Sequence, residues 1–150
     1  MRKHFLQFIF LEFFFISYGC NDTLQCERHF LPKGYIGDVT IYFDQKNGQK
    51  EFDKNGCIIY YISLAGKCIS ALPLKEGITY PNITFKYFEF INQNKVKELR
   101  EFDPNEFYSD SVKNRYKKYI YFIASGYKSP YYCYEYYVDY GINHKKYNNR

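Results

Sequence analysis

Tryptophan is absent from this chain, and histidine and methionine are scarce, with three and one copies. The lack of Trp removes the aromatic side chain best suited to stacking on sugars. No Cys-x-x-Cys spacing occurs, which argues against a zinc site or a dithiol redox centre. No Gly-x-Ser-x-Gly segment occurs either, so the nucleophile elbow of common hydrolases is missing. An enzyme using histidine as a base would have only His29 or His144, for which a surface or edge position is expected.

Long hydrophobic runs and dense basic clusters are also lacking. The formal charge is +5; Arg2, Lys3 and Glu12 contribute +1 of it, which leaves +4 for the rest of the chain. A small excess spread along the sequence is a poor signature of nucleic-acid binding. With 150 residues the chain has room for one domain.

The N-terminus carries the pattern of an export signal. A basic start is followed by an apolar run from Phe5 to Ile16, shorter than the roughly 20 residues that span a bilayer. The run ends at Ser17-Tyr-Gly-Cys20, which resembles the lipobox of bacterial lipoproteins. The resemblance implies a signal peptide at 1–19, lipid attachment at Cys20 and a lipidated tether at 20–28. Two alternatives stay open: ordinary secretion with Cys20 incidental, and a retained anchor.

Strand patterns fill most of the chain after residue 28. Val39, Ile41 and Phe43 alternate with polar residues, which is the period of a half-buried strand. Asn47-Gly48 is a strong hairpin signal. Further strands are predicted around 57–62, 68–72, 84–90, 119–124 and 131–140. The segment 96–102, which follows Asn92-Gln-Asn94, fits either one turn of helix or the second arm of a hairpin, and the hairpin is expected. The count predicts an all-β domain at 29–142: a small antiparallel β-sandwich, Ig-like or similar, of seven or eight strands with no long helix after the signal segment. A disordered tail is predicted at 143–150.

One motif near the start of this domain resembles a known family. The stretch Phe30-Leu-Pro-Lys-Gly-Tyr-Ile-Gly-Asp-Val39 is similar to small secreted bacterial proteins, many of them lipoproteins, that share domain of unknown function 6843. The resemblance covers roughly residues 29–140, and only this first motif is specific. It implies a compact β domain at the cell envelope and transfers no catalytic residue.

Four cysteines remain after Cys20: Cys26, Cys57, Cys68 and Cys133. In an oxidising compartment an even number suggests disulfides, with three possible connectivities for four residues. A bridge between Cys57 and Cys68 would join neighbouring strands and is the first expectation. The alternative is that the cysteines are buried small hydrophobic residues.

The tyrosine-rich segment 131–140 is the most suggestive feature for binding. Alternation places Tyr132, Tyr134 and Tyr136 on one face of a strand. Tyrosine rows can stack on sugars or peptides, since the side chain is partly apolar and partly polar. The alternative is that this face belongs to the core.

Together these features predict a cell-envelope lipoprotein, extracytoplasmic and anchored to a bacterial membrane through lipid on Cys20. Its β-sandwich would be a non-enzymatic binding or structural module with no cofactor or metal, no nucleic-acid partner, and a protein or glycan as a possible extracytoplasmic partner. An alternative function is a carbohydrate- or peptide-binding accessory protein that uses the tyrosine-rich C-terminal strand, and an alternative location is outside the cell, as a secreted protein. A weaker alternative is a small secreted hydrolase.

Overall fold

The computed structural model describes residues 25–74 and 83–146. The predicted signal peptide at 1–19, the lipidation site Cys20 and the last four residues of the tail therefore lie outside the described residues. The strands are β1 (Gln25–Leu31), β2 (Gly37–Tyr42), β3 (Glu51–Phe52), β4 (Ile58–Tyr61), β5 (Lys67–Ile69), β6 (Ile83–Asn92), β7 (Lys95–Glu101), β8 (Lys118–Lys128) and β9 (Tyr131–Tyr140). Helices α1 (Pro104–Ser109) and α2 (Ser111–Asn114) precede β8, and a C-terminal 3₁₀ helix covers Gly141–Lys146.

The all-β prediction is confirmed, but the sandwich is replaced by one curled, half-barrel-like sheet within the described part of the chain. The strand order is β3-β4-β1-β6-β7-β8-β9-β2-β5. The sheet is mixed, since β1 runs parallel to both β4 and β6, and β2–β5 and β7–β8 are parallel as well. The prediction of a purely antiparallel sheet is therefore wrong. Alternating residues tell which side of a strand is buried, but they do not say which strand lies beside it.

Strand β1 begins earlier than the sequence predicts. Residues 25–28, expected to belong to the tether, are the first four residues of this strand. Glu27, His29 and Leu31 point to the inside of the curled sheet and are all buried. His29, for which a surface or edge position is expected, lies in the core: β1 is a central strand, and Tyr136 of β9 packs across the inside of the sheet onto the His29 ring.

The alternating strand around Val39 is confirmed. Val39, Ile41 and Phe43 are buried in the main core. The hairpin predicted at Asn47-Gly48 is wrong, because β2 pairs with β5 and β9 and makes no ladder with β3. Gly48 is required for another reason: a Cβ at this position would overlap the backbone of Ser70. The hairpin predicted for the 96–102 segment is confirmed by the antiparallel pairing of β6 and β7.

The segment between β1 and β2 is a tight turn in which the Tyr35 side chain folds back onto the start of β2. The Tyr35 hydroxyl donates a hydrogen bond to the carbonyl oxygen of Asp38. Gly66 lies against both groups, and a Cβ there would overlap them. Gly34 adopts a positive φ of 76°, and its amide donates to the buried Glu89 carboxylate at 2.6 Å. Gly34 of the motif thus serves backbone geometry, and Gly66, outside the motif, allows the close packing.

The C-terminal segment forms a second, smaller core with α1. His144 is buried and stacks on Phe102, with ring centroids 5.5 Å apart. Its Nδ1 donates to the Gly141 carbonyl at 2.8 Å, because a carbonyl can only accept, and its Nε2 lies 2.9 Å from the Tyr108 hydroxyl. The tail predicted to be disordered from residue 143 is therefore ordered as far as Lys146. His144 therefore helps to hold the segment down, together with backbone hydrogen bonds from Gly141 and Ile142 to the chain before β8.

Candidate functional site

The candidate site is an apolar pocket of about 250 Å³ inside the curled sheet. It lies where the first residues of β4 and β6 meet the chain that leaves β5, and Phe52 forms part of its wall. One lining residue carries a carboxyl group, Glu27. The other lining residues are Phe43, Phe52, Ile58, Tyr60, Leu72, Pro73, Leu74, Ile83 and Tyr134.

Strand pairing fixes the position of Glu27. Its two neighbours in the sheet are Ile58 on β4 and Phe85 on β6. Strands β4 and β6 flank β1, and the inward-facing residues of β1 are buried inside the curled sheet. Glu27 is only 2 % exposed. A buried carboxyl group is costly unless polar partners surround it.

His29 provides one such partner. Its Nε2 atom lies 3.5 Å from Oε2 of Glu27, which is within ion-pair range. Its Nδ1 atom hydrogen-bonds with the hydroxyl of Tyr136 at 3.2 Å. Glu27, His29 and Tyr136 therefore form a continuous polar chain from the pocket wall into the core, which we call the Glu–His–Tyr chain.

Aromatic rings enclose the histidine. The rings of Tyr60 and Tyr87 lie 5.2 and 5.0 Å from the His29 ring, and that of Phe85 lies 6.1 Å away. Burial, and then the charge of the nearby Glu27, raise the pKa of the Tyr60 hydroxyl well above its ordinary value. Tyr60 stays protonated at neutral pH, and its hydroxyl hydrogen-bonds with Ser70.

This arrangement is suited to binding. The apolar walls can bury a small hydrophobic body, and the Glu27 carboxyl group offers acceptor oxygens to a donor carried by the ligand. His29 is 1 % exposed and closed in by rings. A substrate in the pocket would meet Glu27 and not the imidazole.

The tyrosines predicted as one binding face divide among three environments. Tyr136 is buried in the core and bonds with His29. Tyr134 lines the pocket and packs edge-on against Phe43 at 4.9 Å. Tyr132 is exposed and contacts Tyr127 near the turn that joins β8 to β9. A continuous exposed tyrosine row on this strand is therefore ruled out, because two of its three members point to the inside of the curled sheet.

The cysteine prediction is wrong about the partner. Cys57 forms a disulfide with Cys26, and Cys68 and Cys133 are free and buried. Cys26 precedes Glu27 and Cys57 precedes Ile58, and these two residues are register partners in the parallel β1–β4 pair. The bridge therefore lies beside the pocket wall and ties β4 to β1. Burial raises the pKa of the Cys68 thiol to about 12.

Glu27 is the site residue that sequence reasoning missed. The sequence carried a signal for it, since Glu27, His29 and Leu31 alternate in the same period as the strand after them. Its polar character and its polar neighbours favoured a tether instead. Across residues 25–74 and 83–146, no group of three or more His, Cys, Asp or Glu side chains could hold a metal ion. No helix in the same residues is long and apolar enough to cross a membrane.

Comparison with known proteins gives a structural likeness of low similarity. No protein family model matches the chain, and no curated protein matches it. Among solved structures, the chain is similar to a crystal structure of a candidate lipoprotein from Bacillus anthracis. The TM-score is 0.49 and the sequence identity 9 %, over 76 % of this chain and 68 % of that one. A likeness at this level carries no argument about function.

Proposed function

We propose that this chain is an extracytoplasmic, lipid-anchored binding protein whose pocket takes a small ligand with an apolar body and a hydrogen-bond-donating head. The single observation that carries the proposal is the buried Glu27 carboxyl group in the wall of an otherwise apolar pocket. An ordinary core would have an apolar residue at this position, because a buried carboxyl group lowers stability.

The location is supported by chemistry that is independent of the pocket. Stable disulfides form outside the reducing cytoplasm, and Cys26–Cys57 joins two strands of the core sheet. Cys20 ends an export-signal pattern only five residues before β1 begins. Several acyl chains on one cysteine, at about 0.8 kcal/mol for each buried CH₂ group, anchor a soluble domain stably. Membership of the domain of unknown function 6843 family stays a proposal, which rests on the Phe30–Val39 motif.

A binding role without catalysis is proposed because neither described histidine lines the pocket beside Glu27; His144 borders a different pocket, next to α2. His29 and His144 are both buried, and each is held by a tyrosine hydroxyl. A base that cannot reach the substrate cannot abstract its proton. A carbohydrate or peptide ligand on the tyrosine-rich strand is not favoured, since Tyr136 is a core residue.

Three probes with the same six-carbon chain test the ligand class: hexylamine, hexanol and hexanoate. Isothermal calorimetry with the full chain should give the tightest binding for the amine and the weakest for the carboxylate. A charged hydrogen bond to Glu27 contributes about 1.5–3 kcal/mol, so the amine should bind at least about tenfold more tightly than hexanoate.

The matched variants are Glu27→Gln in the pocket and Glu51→Gln on the exposed strand β3. Glu27→Gln should remove most of the preference for the amine and leave hexanol binding within about threefold, while Glu51→Gln should change neither. Equal affinities for the three probes in the unaltered chain, or an amine preference that survives Glu27→Gln, would contradict the proposal. Leu74→Trp, which fills the pocket and replaces none of Glu27, His29 and Tyr136, should abolish binding of all three probes.

Anchoring is tested separately, by labelling cells with a radioactive fatty acid. The unaltered chain should take up the label and Cys20→Ala should not. Equal labelling of the two proteins would refute lipid attachment at Cys20.

A further inference from the structure

The turn between β8 and β9 carries a group of exposed tyrosines, which we call the tyrosine tip and define as residues 127–132. Tyr127, Tyr131 and Tyr132 are 62 %, 42 % and 37 % exposed. Tyr127 and Tyr132 are cross-strand partners and pack edge to face at 5.2 Å. Tyr131 points to the other face of the hairpin, where it contacts Tyr42 at 5.9 Å. The tip therefore presents aromatic rings on both faces.

Contacts across the inside of the sheet show which end of the domain carries this tip. The ring of Tyr136 faces that of His29 at 5.5 Å, and the ring of Tyr134 faces that of Phe85, the register partner of Glu27, at 6.0 Å. Tyr136 thus lies opposite His29, and Tyr134, two residues earlier in β9, lies opposite the position of Glu27, two residues earlier in β1. Two residues earlier again, Tyr132 is level with Gln25, the first residue of β1, and residues 129–131 extend beyond that end of the strand.

The chain that enters β1 comes from Cys20, five residues before Gln25. Five residues span at most roughly 18 Å when fully extended. A lipid on Cys20 would therefore hold the bilayer close to the β1 end of the domain. That is the end where the tyrosine tip projects.

We propose that the tyrosine tip contacts the headgroup region of the membrane to which the protein is anchored, so that the domain rests on the bilayer in one orientation. This inference rests on the proposed lipid attachment at Cys20. Tyrosine suits the interface between water and lipid, because its ring is apolar and its hydroxyl is polar. Lys128, within the tip, is exposed and pairs with Glu135 at 2.7 Å, so the proposed contact rests on the aromatic rings of the tip and not on this cation. Exposed rings on both faces suit a hairpin that enters the interface edge-on.

The absence of Trp makes the contact measurable, since one introduced Trp becomes the sole indole fluorophore. The lipidated full chain carrying Tyr131→Trp is reconstituted into liposomes whose lipids are brominated near the headgroup, and its fluorescence is compared with that in unbrominated liposomes. The matched control is Tyr116→Trp, because Tyr116 is 69 % exposed and lies near the opposite end of the β8–β9 ladder. Nine residues of strand separate the two ends of β9, which is about 30 Å.

The tip variant should lose at least half of its emission in brominated liposomes and shift to shorter wavelength. The control variant should change by less than a tenth. Tyr127→Trp, on the other face of the same hairpin, should behave like Tyr131→Trp and serves as a second reporter. Equal, weak quenching of tip and control variants would overturn the docking proposal.

Intact-mass measurement on the same samples separates the two proposals. A lipid adduct on Cys20 together with an unquenched tip refutes docking and leaves the anchor in place. A chain without the adduct refutes both.

Discussion

Removing the Cys26–Cys57 disulfide is the perturbation whose effect can be worked out most fully. The bridge closes a loop with a sequence separation of 31 residues. Chain-entropy arguments for a loop of this length give about 3.7 kcal/mol of stabilisation, through restriction of the unfolded chain. For a domain of this size such a loss lowers Tm by roughly 10–20 °C.

The assay is equilibrium unfolding in urea, followed by circular dichroism, for Cys57→Ala and Cys26→Ala. Each variant should lose about 3–4 kcal/mol, and the double variant should lose no more than either single one, because all three lack the same bridge. Reduction of the unaltered chain should produce a comparable loss.

Cys68→Ala is the control that separates the two possible partners of Cys57. Cys68 is a buried free thiol, so this change removes one sulfur from the core and should cost about 1 kcal/mol. If Cys68→Ala costs as much as Cys57→Ala, and digestion yields a peptide pair that links Cys57 to Cys68, the pairing of Cys26 with Cys57 is refuted.

Three further predictions concern a close-packed glycine, a buried ion pair and a buried thiol. Gly66→Ala should lower the free energy of unfolding in urea by about 1–3 kcal/mol, because the new Cβ overlaps the Tyr35 hydroxyl and the Asp38 carbonyl. Gly56→Ala, at a similar positive φ but in open space, should lower it less, and equal losses would contradict the close packing at Gly66. Lys118→Met should lose about 3–5 kcal/mol, because it removes the cation 2.6 Å from the buried Glu89 carboxylate and leaves that charge with the neutral Gly34 amide as a donor. Lys128→Met removes an exposed ion pair and should lower stability by less than about 1 kcal/mol. A loss as large as that of Lys118→Met would contradict the distinction between the buried and the exposed ion pair. Burial raises the pKa of Cys68 to about 12, so this thiol should react with a disulfide reagent at about pH 8 only after unfolding; rapid reaction in the native protein would contradict its burial.

Local patterns in the sequence predict those parts of the fold that depend on one strand or one turn. The alternation around Val39 identifies the buried side of β2, and the Asn-rich turn after β6 identifies the β6–β7 hairpin. Strand β9 begins and ends where its tyrosine-rich pattern does. In each case the information lies within a few neighbouring residues.

Strand partners could not be predicted in the same way. Side chains that alternate with period two are compatible with parallel and antiparallel neighbours alike. The parallel neighbours of β1, strands β4 and β6, are distant from it in sequence. Cys26 forms its disulfide with Cys57 because the parallel pairing of β1 with β4 brings these two residues together. Proximity in sequence therefore predicts the wrong disulfide partner for Cys57, namely Cys68 in place of Cys26.

The candidate site was missed because its residues resemble surface residues in the sequence. Glu27 and His29 are polar, and their face of β1 is an interior only because the sheet curls so that β9 residues such as Tyr136 lie across from it. The alternation of the tyrosines in β9 was predicted correctly, yet it could not say whether Tyr134 and Tyr136 face solvent or the pocket and core. That distinction depends on the curl of the whole sheet.

The most direct test of the central proposal, a donor-bearing ligand in the pocket beside Glu27, is an NMR titration of the full chain with hexylamine. The methyl groups of Ile58, Ile83 and Leu74 line the pocket and should show the largest chemical-shift changes, with smaller changes at the ring protons of Tyr134. In the same titration, Glu27→Gln should show smaller chemical-shift changes at each hexylamine concentration and should need more hexylamine to reach saturation. Saturating hexylamine that leaves these methyl signals unmoved, or that shifts only residues outside the pocket, would contradict the account.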